Sequence, residues 1–286
     1  MREVYLNGQY LSLEEARVSV LDRGFLFGDG VYEVIPVFGG RPFRLTQHME
    51  RLDNSLQSIR IASPLQPDEW ERIFARLTGS TPNVDQLIYL QVTRGVDPAR
   101  NHLFPQGVEP TVFVMSWNAK PRDPNISRHG IGAIVLEDNR WRRCDIKATA
   151  LLGNVLLRQQ AEDAGAKEAI LIRDGLVTEG SSTNPFIVQG GKILTPPKSN
   201  LLLRGVTRDL VLELARDADM PCAERHITRD ELETADEIWI CSSSREIQPV
   251  TWLDGKPVGD GVPGPLFAHM YALFQDYKAG LRSGDA

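Results

Sequence analysis

A two-domain protein of mixed α/β (α+β) structure is what the sequence predicts, on three observations. At roughly 100–200 residues per domain, a chain of 286 residues has room for two cores. Apolar runs with the two-residue period of strands alternate along it with segments of helical period, the order expected when helices pack on sheets. The pattern breaks around Asn118-Ala-Lys-Pro-Arg-Asp-Pro-Asn125, whose prolines and charges have the composition of a linker. The expected division is a smaller N-terminal α/β domain over 1–118, a linker over 119–125 and a larger C-terminal domain over 126–286.

Val4 to Tyr10 reads as a hairpin about an Asn7-Gly8 turn, and Gly30 to Phe38 as an extended apolar stretch closed by Gly39-Gly40. Thr46 to Ile61 reads as a helix that Thr46 can cap, with Met49, Leu52, Leu56 and Ile59 on one face and Arg51 beside that stripe, pointing elsewhere. A second helix is expected from about Asp68 to Leu77, followed by strands over Gln86–Thr93 and Thr111–Trp117. Beyond the linker, strands are expected near Gly132–Leu136, Ala169–Ile172, Pro185–Val188 and Ile238–Cys241. Helices are expected near Leu152–Ala164, Thr207–Ala218 and Pro265–Tyr277. Asp174-Gly175, Gly190-Gly191 and Asp254-Gly255 supply hairpin turns.

A hydrophobic content of 42% is ample for ordinary cores, and the net charge of -6 argues against a nucleic-acid partner, which would want a basic face. No apolar run approaches the ~18 residues of a membrane span, and the N-terminal stretch lacks the apolar core of a signal peptide. Cys144, Cys222 and Cys241 form no CxxC pair, which fits a reducing cytoplasm. The histidines are scattered without metal-ligand spacing, so no metal is expected.

Two short motifs carry the chemistry. Lys147 stands in Arg-Cys-Asp-Ile-Lys-Ala-Thr, and Glu179 in Thr-Glu-Gly-Ser-Ser-Thr-Asn. Alone, a lysine is usually a solvated charge and Thr-Glu-Gly-Ser a polar turn. Lys147, however, lies between Ile146 and Ala148 and just before Ala150-Leu151-Leu152, a segment that looks buried, and burial makes the amine a better nucleophile. An amine that condenses with an aldehyde, and a carboxylate that holds a ring nitrogen protonated, are the groups pyridoxal phosphate chemistry requires. Gly205-Val-Thr-Arg-Asp precedes the apolar-periodic Leu210, Val211, Leu214 and Ala215, so the N–H groups of Val206 and Thr207 open a helix and can cradle a phosphate.

The chain resembles the fold type IV pyridoxal-phosphate enzymes, which include branched-chain aminotransferases, D-amino acid aminotransferases and aminodeoxychorismate lyases. It looks most like the D-amino acid aminotransferases. The matching stretches run in the family's order: Asp22 to Val34, His48 to Leu52, Gln91 to Gly95 with Arg100-Asn-His102 and Phe104-Pro105, Trp141 to Lys147, Thr178 to Asn184, Gly205 to Asp209 and Ser242 to Val250. The resemblance implies a two-domain architecture with a cofactor-binding C-terminal domain, Lys147 as the catalytic lysine and Glu179 on the pyridine nitrogen. Arg51 and Ser243 would complete the phosphate site with Val206 and Thr207, and Arg140 would lie near the cofactor's phenolic oxygen, in a region that Arg142 and Arg143 also crowd.

For substrate, the resemblance implies that Tyr32, Arg100 and His102 grip the α-carboxylate, the Arg-x-His pair coming from the other subunit of a homodimer. Residues two apart in an extended segment face the same way, so both side chains can converge on one carboxylate. The implied reaction is ping-pong transamination of D-amino acids such as D-alanine and D-glutamate with a 2-oxo acid such as 2-oxoglutarate. Pro36 departs from the lysine often found there in the family and leaves the side-chain preference open. Competing readings are a same-fold enzyme acting on branched-chain L-amino acids, (R)-amines or aminodeoxychorismate, and a catalytically silent binding protein.

Overall fold

The computed structural model describes residues 2–79 and 84–284. The outermost positions of the two expected domains, Met1 and 285–286, lie outside the described residues. The chain forms two compact units: Met1–Lys120 with Ile146–Ala150 and Leu281–Ala286, and Pro121–Asp145 with Leu151–Gly280. The Lys147 segment, expected in the C-terminal domain, therefore belongs to the first unit.

The first unit contains β1 (Glu3–Leu6), β2 (Gln9–Ser12), α1 (Arg23–Phe27), β3 (Gly30–Phe38), β4 (Arg41–Pro42), α2 (Leu45–Ser58), α3 (Pro67–Thr78), β5 (Gln86–Thr93) and β6 (Thr111–Asn118). Its strands form one sheet in the order β2-β1-β6-β5-β3-β4, antiparallel throughout. Strand alternation sorts the residues. Val31, Ile35, Ile88, Leu90 and Val114 share a core with Leu52 and Leu56 of α2 and Phe74 of α3. The alternate positions Tyr32, Tyr89 and Phe113 are only partly buried and form an aromatic row, with ring centroids 5.7 Å and then 6.4 Å apart.

The Lys147 segment joins this unit through its backbone. β4 pairs with Val37 and Phe38, and at the other end of β3 Ala148 bridges Val31 in antiparallel fashion. Tyr32 N donates to Lys147 O and Thr149 N to Gly30 O, both at 3.0 Å. The segment thus satisfies part of an otherwise open strand edge. Thr46 is not the cap of α2: Arg44, at φ 48, precedes the helix, and no side chain caps it. The buried Phe43, whose N–H donates to Pro36 O at 2.7 Å, pins the chain so that it reverses at Arg44.

The second unit contains α4 (Pro124–His129), β7 (Ile131–Glu137), α5 (Leu152–Asp163), β8 (Glu168–Arg173), β9 (Leu176–Gly180), β10 (Asn184–Gln189), β11 (Lys192–Thr195), α6 (Val206–Asp217), β12 (Cys222–Glu224), α7 (Arg229–Glu233), β13 (Glu237–Ser242), β14 (Glu246–Leu253) and β15 (Lys256–Pro257). The last helix, α8 (Pro265–Ser283), runs on into the terminal segment of the first unit. The residues read as a linker end in a helix: Pro124 occupies the first turn of α4, and the Asp123 side chain accepts from Asn125 N.

The sheet runs β12-β11-β10-β13-β14-β7-β8-β9, with β15 on β14. It is parallel at β11/β12, β14/β7 and β7/β8, and α5 makes the crossover between β7 and β8. Hairpin turns fall at Asp174-Gly175, Gly190-Gly191 and Asp254-Gly255, where both residues of each pair have positive φ, as twisted hairpins require. Trp239, fully buried, packs between Phe186 and Phe267.

Among the described residues no helix is long and apolar enough to cross a membrane, and all three cysteines are free. Leu52, at 0% exposure, seats α2 on the first sheet. Leu52→Ala should cost about 2–5 kcal/mol, read as a lower urea midpoint; an unchanged midpoint would contradict this packing.

Candidate active site

In the first unit, β3 presents different chemistry on its two faces. Tyr32 points to the partly open side, and the Lys147 Nζ lies 4.3 Å from its ring centroid. Lys147 is half-buried between the buried Ile146 and Ala148, and its N–H donates to Ser55 Oγ of α2 at 3.3 Å. Its position is therefore set by β3 on one side and α2 on the other.

Glu33, the next residue, turns to the core side and is fully buried. Its carboxylate accepts from Arg51 Nε at 2.7 Å and Arg51 Nη2 at 2.8 Å. His48 Nδ1 approaches the same carboxylate at 2.8 Å. His48 and Arg51, three apart on α2, share a helix face. Burial alone would raise the Glu33 carboxyl, but the Arg51 charge and the hydrogen bonds of Arg51 and His48 hold it well below the usual carboxylate range. Burial pushes His48 below its ordinary value against the opposing pull of Glu33. A neutral imidazole carrying its proton on Nδ1 satisfies this geometry, and its Nε2 has no hydrogen-bond partner among the described residues. Arg51 is thus buried with its fork on Glu33 rather than pointing outward.

Arg100 and His102 lie on an exposed loop. They come together on one ring, that of Phe27: the Arg100 Cζ is 5.2 Å and the His102 ring centroid 5.3 Å from its centroid.

In the second unit, Glu179 near the end of β9 is buried, and its two oxygens have separate partners. Arg140 Nη1 donates to Oε1 at 2.5 Å and Leu203 N to Oε2 at 2.9 Å. Burial raises its carboxyl above the ordinary range, with Arg140 and the Leu203 N–H pulling the other way. Arg140 also clamps Asp138 through Nε and Nη2, each at 2.9 Å. It therefore bridges two carboxylates. Although burial works against the charged form, Asp138 and Glu179 raise the guanidinium further.

Val206 and Thr207 open α6 after Gly205, and among the described residues no side chain caps that helix. Both are buried, and the Thr207 Oγ1 has no hydrogen-bond partner among the described residues. Gly205 is held tightly: a Cβ there would stand 2.0 Å from Asn184 Oδ1. Asn184 of β10 pairs in register with Cys241 of β13, which brings the turn carrying Ser243 to the same end of the sheet. Ser242 Oγ accepts from Arg245 N at 3.2 Å and so closes that turn. Glu168, fully buried, accepts from Ser181 N at 3.1 Å, Thr183 Oγ1 at 3.0 Å and Arg245 Nη1 at 3.1 Å, tying the Glu179 and Ser243 turns to one carboxylate.

These arrangements join Lys147 with Tyr32, Arg100 with His102, and Glu179 with Arg140. Glu33, His48, Asp138, Glu168 and Phe27 were not singled out from the sequence. Glu33 left a signal: it is the one charged residue of β3 and sits in phase with the buried Val31 and Ile35, where a carboxylate needs a partner.

The family described as Amino-transferase class IV matches residues 30–253. The chain is 40% identical over 274 residues to a D-alanine aminotransferase of Bacillus licheniformis, covering 96% of each, and 40% identical over 278 residues to one of Staphylococcus aureus (strain MSSA476), covering 97% of this chain and 98% of that one. Among solved structures it is similar to the branched-chain amino acid aminotransferase of Escherichia coli, with a TM-score of 0.91 and 26% identity over 99% of this chain and 95% of that one. It is also similar to the T.th. branched-chain amino acid aminotransferase with pyridoxamine 5'-phosphate, with a TM-score of 0.90 and 28% identity over 99% and 96%.

The chain belongs to the class IV amino-transferases. It is a pyridoxal-phosphate-dependent aminotransferase of fold type IV. The residues fit that cofactor: a buried hydroxyl without a partner and uncapped N–H groups at the start of α6 suit a phosphate, and a buried carboxylate suits a protonated ring nitrogen.

The His48 shift has a pH consequence. Because its folded-state value lies below the ordinary 6.5, the unfolded chain binds the proton more readily, so the contribution is complete above pH 6.5 and declines as pH falls. The urea midpoint of the wild type should therefore drop below pH 6.5, and His48→Gln, which keeps an N–H donor, should flatten that part of the profile. An identical profile in the variant would assign the slope to another group.

Proposed function

We propose that the enzyme transfers the amino group of D-amino acids, of the D-alanine and D-glutamate type, to a 2-oxo acid such as 2-oxoglutarate in a ping-pong cycle. The observation that carries this reading is the 40% identity to D-alanine aminotransferases over 96–97% of the chain. A second support is an Arg-x-His pair brought onto one ring, with Arg100 making no ion pair among the described residues.

Pyridoxal phosphate, when bound, supplies an aldehyde for the amino group and a ring that accepts electrons. In the proposed roles Lys147 carries the amine that holds the cofactor and, once released, takes the proton from the substrate Cα. Tyr32, on whose ring the amine rests, lines the same place. Glu179 holds the proton on the ring nitrogen, and Arg140 keeps that carboxylate in position. Val206, Thr207, Ser243 and Arg51 bind the phosphate, Glu33 holding the Arg51 fork in one orientation. Arg100 and His102 receive the substrate carboxylate.

The catalytic unit in this reading is a homodimer in which the Arg100 loop serves the partner's site. Exposed Val96, Leu103 and Phe104 of that loop, with Val20 and Phe25 on either side of Asp22, which bridges Val96, are the apolar surface such an assembly would cover. A branched-chain L-amino acid reading has its own support, the likeness to branched-chain aminotransferases at TM-scores of 0.91 and 0.90. Pro36, buried in β3 opposite Leu87, places no cation on that strand face.

The discriminating experiment adds D-alanine, D-glutamate, L-leucine and an aryl (R)-amine separately to the holoenzyme without acceptor, following the visible absorption of the bound cofactor. Bleaching by the D-amino acids alone is expected; bleaching by L-leucine alone would replace this reading with the branched-chain one. Lys147→Ala should lose both that absorption band and multiple turnover, and wild-type turnover in the variant would remove Lys147 from the role.

A further inference from the structure

We infer that Phe27 is a positioning residue for substrate recognition: its ring is the platform on which Arg100 and His102 are held side by side, and Arg23 locks that platform to the loop. The inference rests on the reading of Arg100 and His102 as the carboxylate clamp.

α1 is a single short turn, capped by Asp22, which accepts from Gly24 N at 2.7 Å, and ended by Gly28 at φ 65. It places Arg23 and Phe27 four apart, on one side. The Arg23 Cζ lies 4.8 Å from the Phe27 centroid, and its Nη1 donates to Asn101 O at 2.6 Å. Asn101 is the residue between the two clamp members. Arg23 is itself buried and fixed by Asp29 at 2.9 Å. The loop has further internal ties, Asp97 Oδ1 accepting from Ala99 N at 2.9 Å and Asn101 Oδ1 from Leu103 N at 3.1 Å.

With the backbone held at Asn101, the side chains on either side of it project together and meet the same aromatic ring. Neither Arg100 nor His102 makes a hydrogen bond or ion pair among the described residues, so the ring is what orders them. This division of contacts suits anion binding. An aromatic ring engages a guanidinium through its electron-rich face, and the in-plane N–H donors stay available for a planar carboxylate. Without the ring, both exposed side chains would be spread over many rotamers and would have to be ordered at each binding event.

The test compares Phe27→Leu, Phe27→Tyr, Arg23→Lys and Arg100→Ala in the full-length holoenzyme with D-alanine and 2-oxoglutarate. Phe27→Leu should raise KM for both substrates by roughly fivefold while kcat changes by less than about twofold, and apoenzyme should take up pyridoxal phosphate with wild-type affinity. Phe27→Tyr, which restores an aromatic face, should recover most of the loss. Arg23→Lys keeps a charge beside Asp29 but loses the fork that also reaches Asn101 O, and should show the same KM-selective defect; it supplies the answer if Phe27→Leu does not fold. Wild-type KM values in Phe27→Leu and Arg23→Lys, with a raised KM in Arg100→Ala, would overturn the platform while leaving the clamp standing. Wild-type KM values in Arg100→Ala would overturn the clamp itself, and the platform with it.

Discussion

The first unit depends on a charge that has been taken out of water. Glu33 is fully buried, and removing a carboxylate from solvent costs on the order of several kcal/mol unless it is paired and hydrogen-bonded. Arg51 meets it with two donors and His48 with a third, so the side of α2 that faces β3 can take only one register. Because Glu33 follows Tyr32 on an alternating strand, fixing the core-side carboxylate also fixes the tyrosine on the opposite face, and with it the ring that the Lys147 amine approaches. A helix-to-strand ion pair thereby sets the direction of a side chain that it never touches.

The second unit uses the same physics. Asp138, Glu168 and Glu179 are buried carboxylates, each held by at least one arginine: Arg140 bridges Asp138 and Glu179, and Arg245 reaches Glu168. Such pairs are weak contributors to net stability compared with apolar packing, but breaking one leaves an uncompensated charge, so they hold geometry strictly. The groups they hold are turns, where backbone alone gives little rigidity: the Gly180–Thr183 region after Glu179 and the serine turn before β14.

Much of the fold was legible because its long elements are amphipathic. β3, β5, β6 and helices α2, α3, α5, α6 and α8 carry enough turns or alternations for their period to stand out. α1, α4 and α7 were not foreseen, since helices of five or six residues contain too few turns to show a period, and the prolines around the start of α4 look like a linker. β14 was hidden by Pro249, which removes a donor from a strand that nonetheless pairs on both sides. Lys147 and Glu179 stood out by their motifs, whereas the partners that orient them, Ser55, Arg140 and Leu203, come from distant segments. The affiliation of the Lys147 segment was misread for a related reason: strand-edge pairing with Val31 outweighs its place in the sequence.

That pairing has a bearing on how such a chain can be divided. The polypeptide leaves the first unit after Lys120, returns for Ile146–Ala150, departs again and rejoins it from Leu281. A gene fragment ending at residue 120 would encode most of a sheet without the strand edge that carries the amine, and one beginning at residue 121 would inherit the amine without the sheet that orients it. The two halves are therefore not interchangeable modules, and shuffling or splitting at the proline-rich junction would separate the nucleophile from its scaffold.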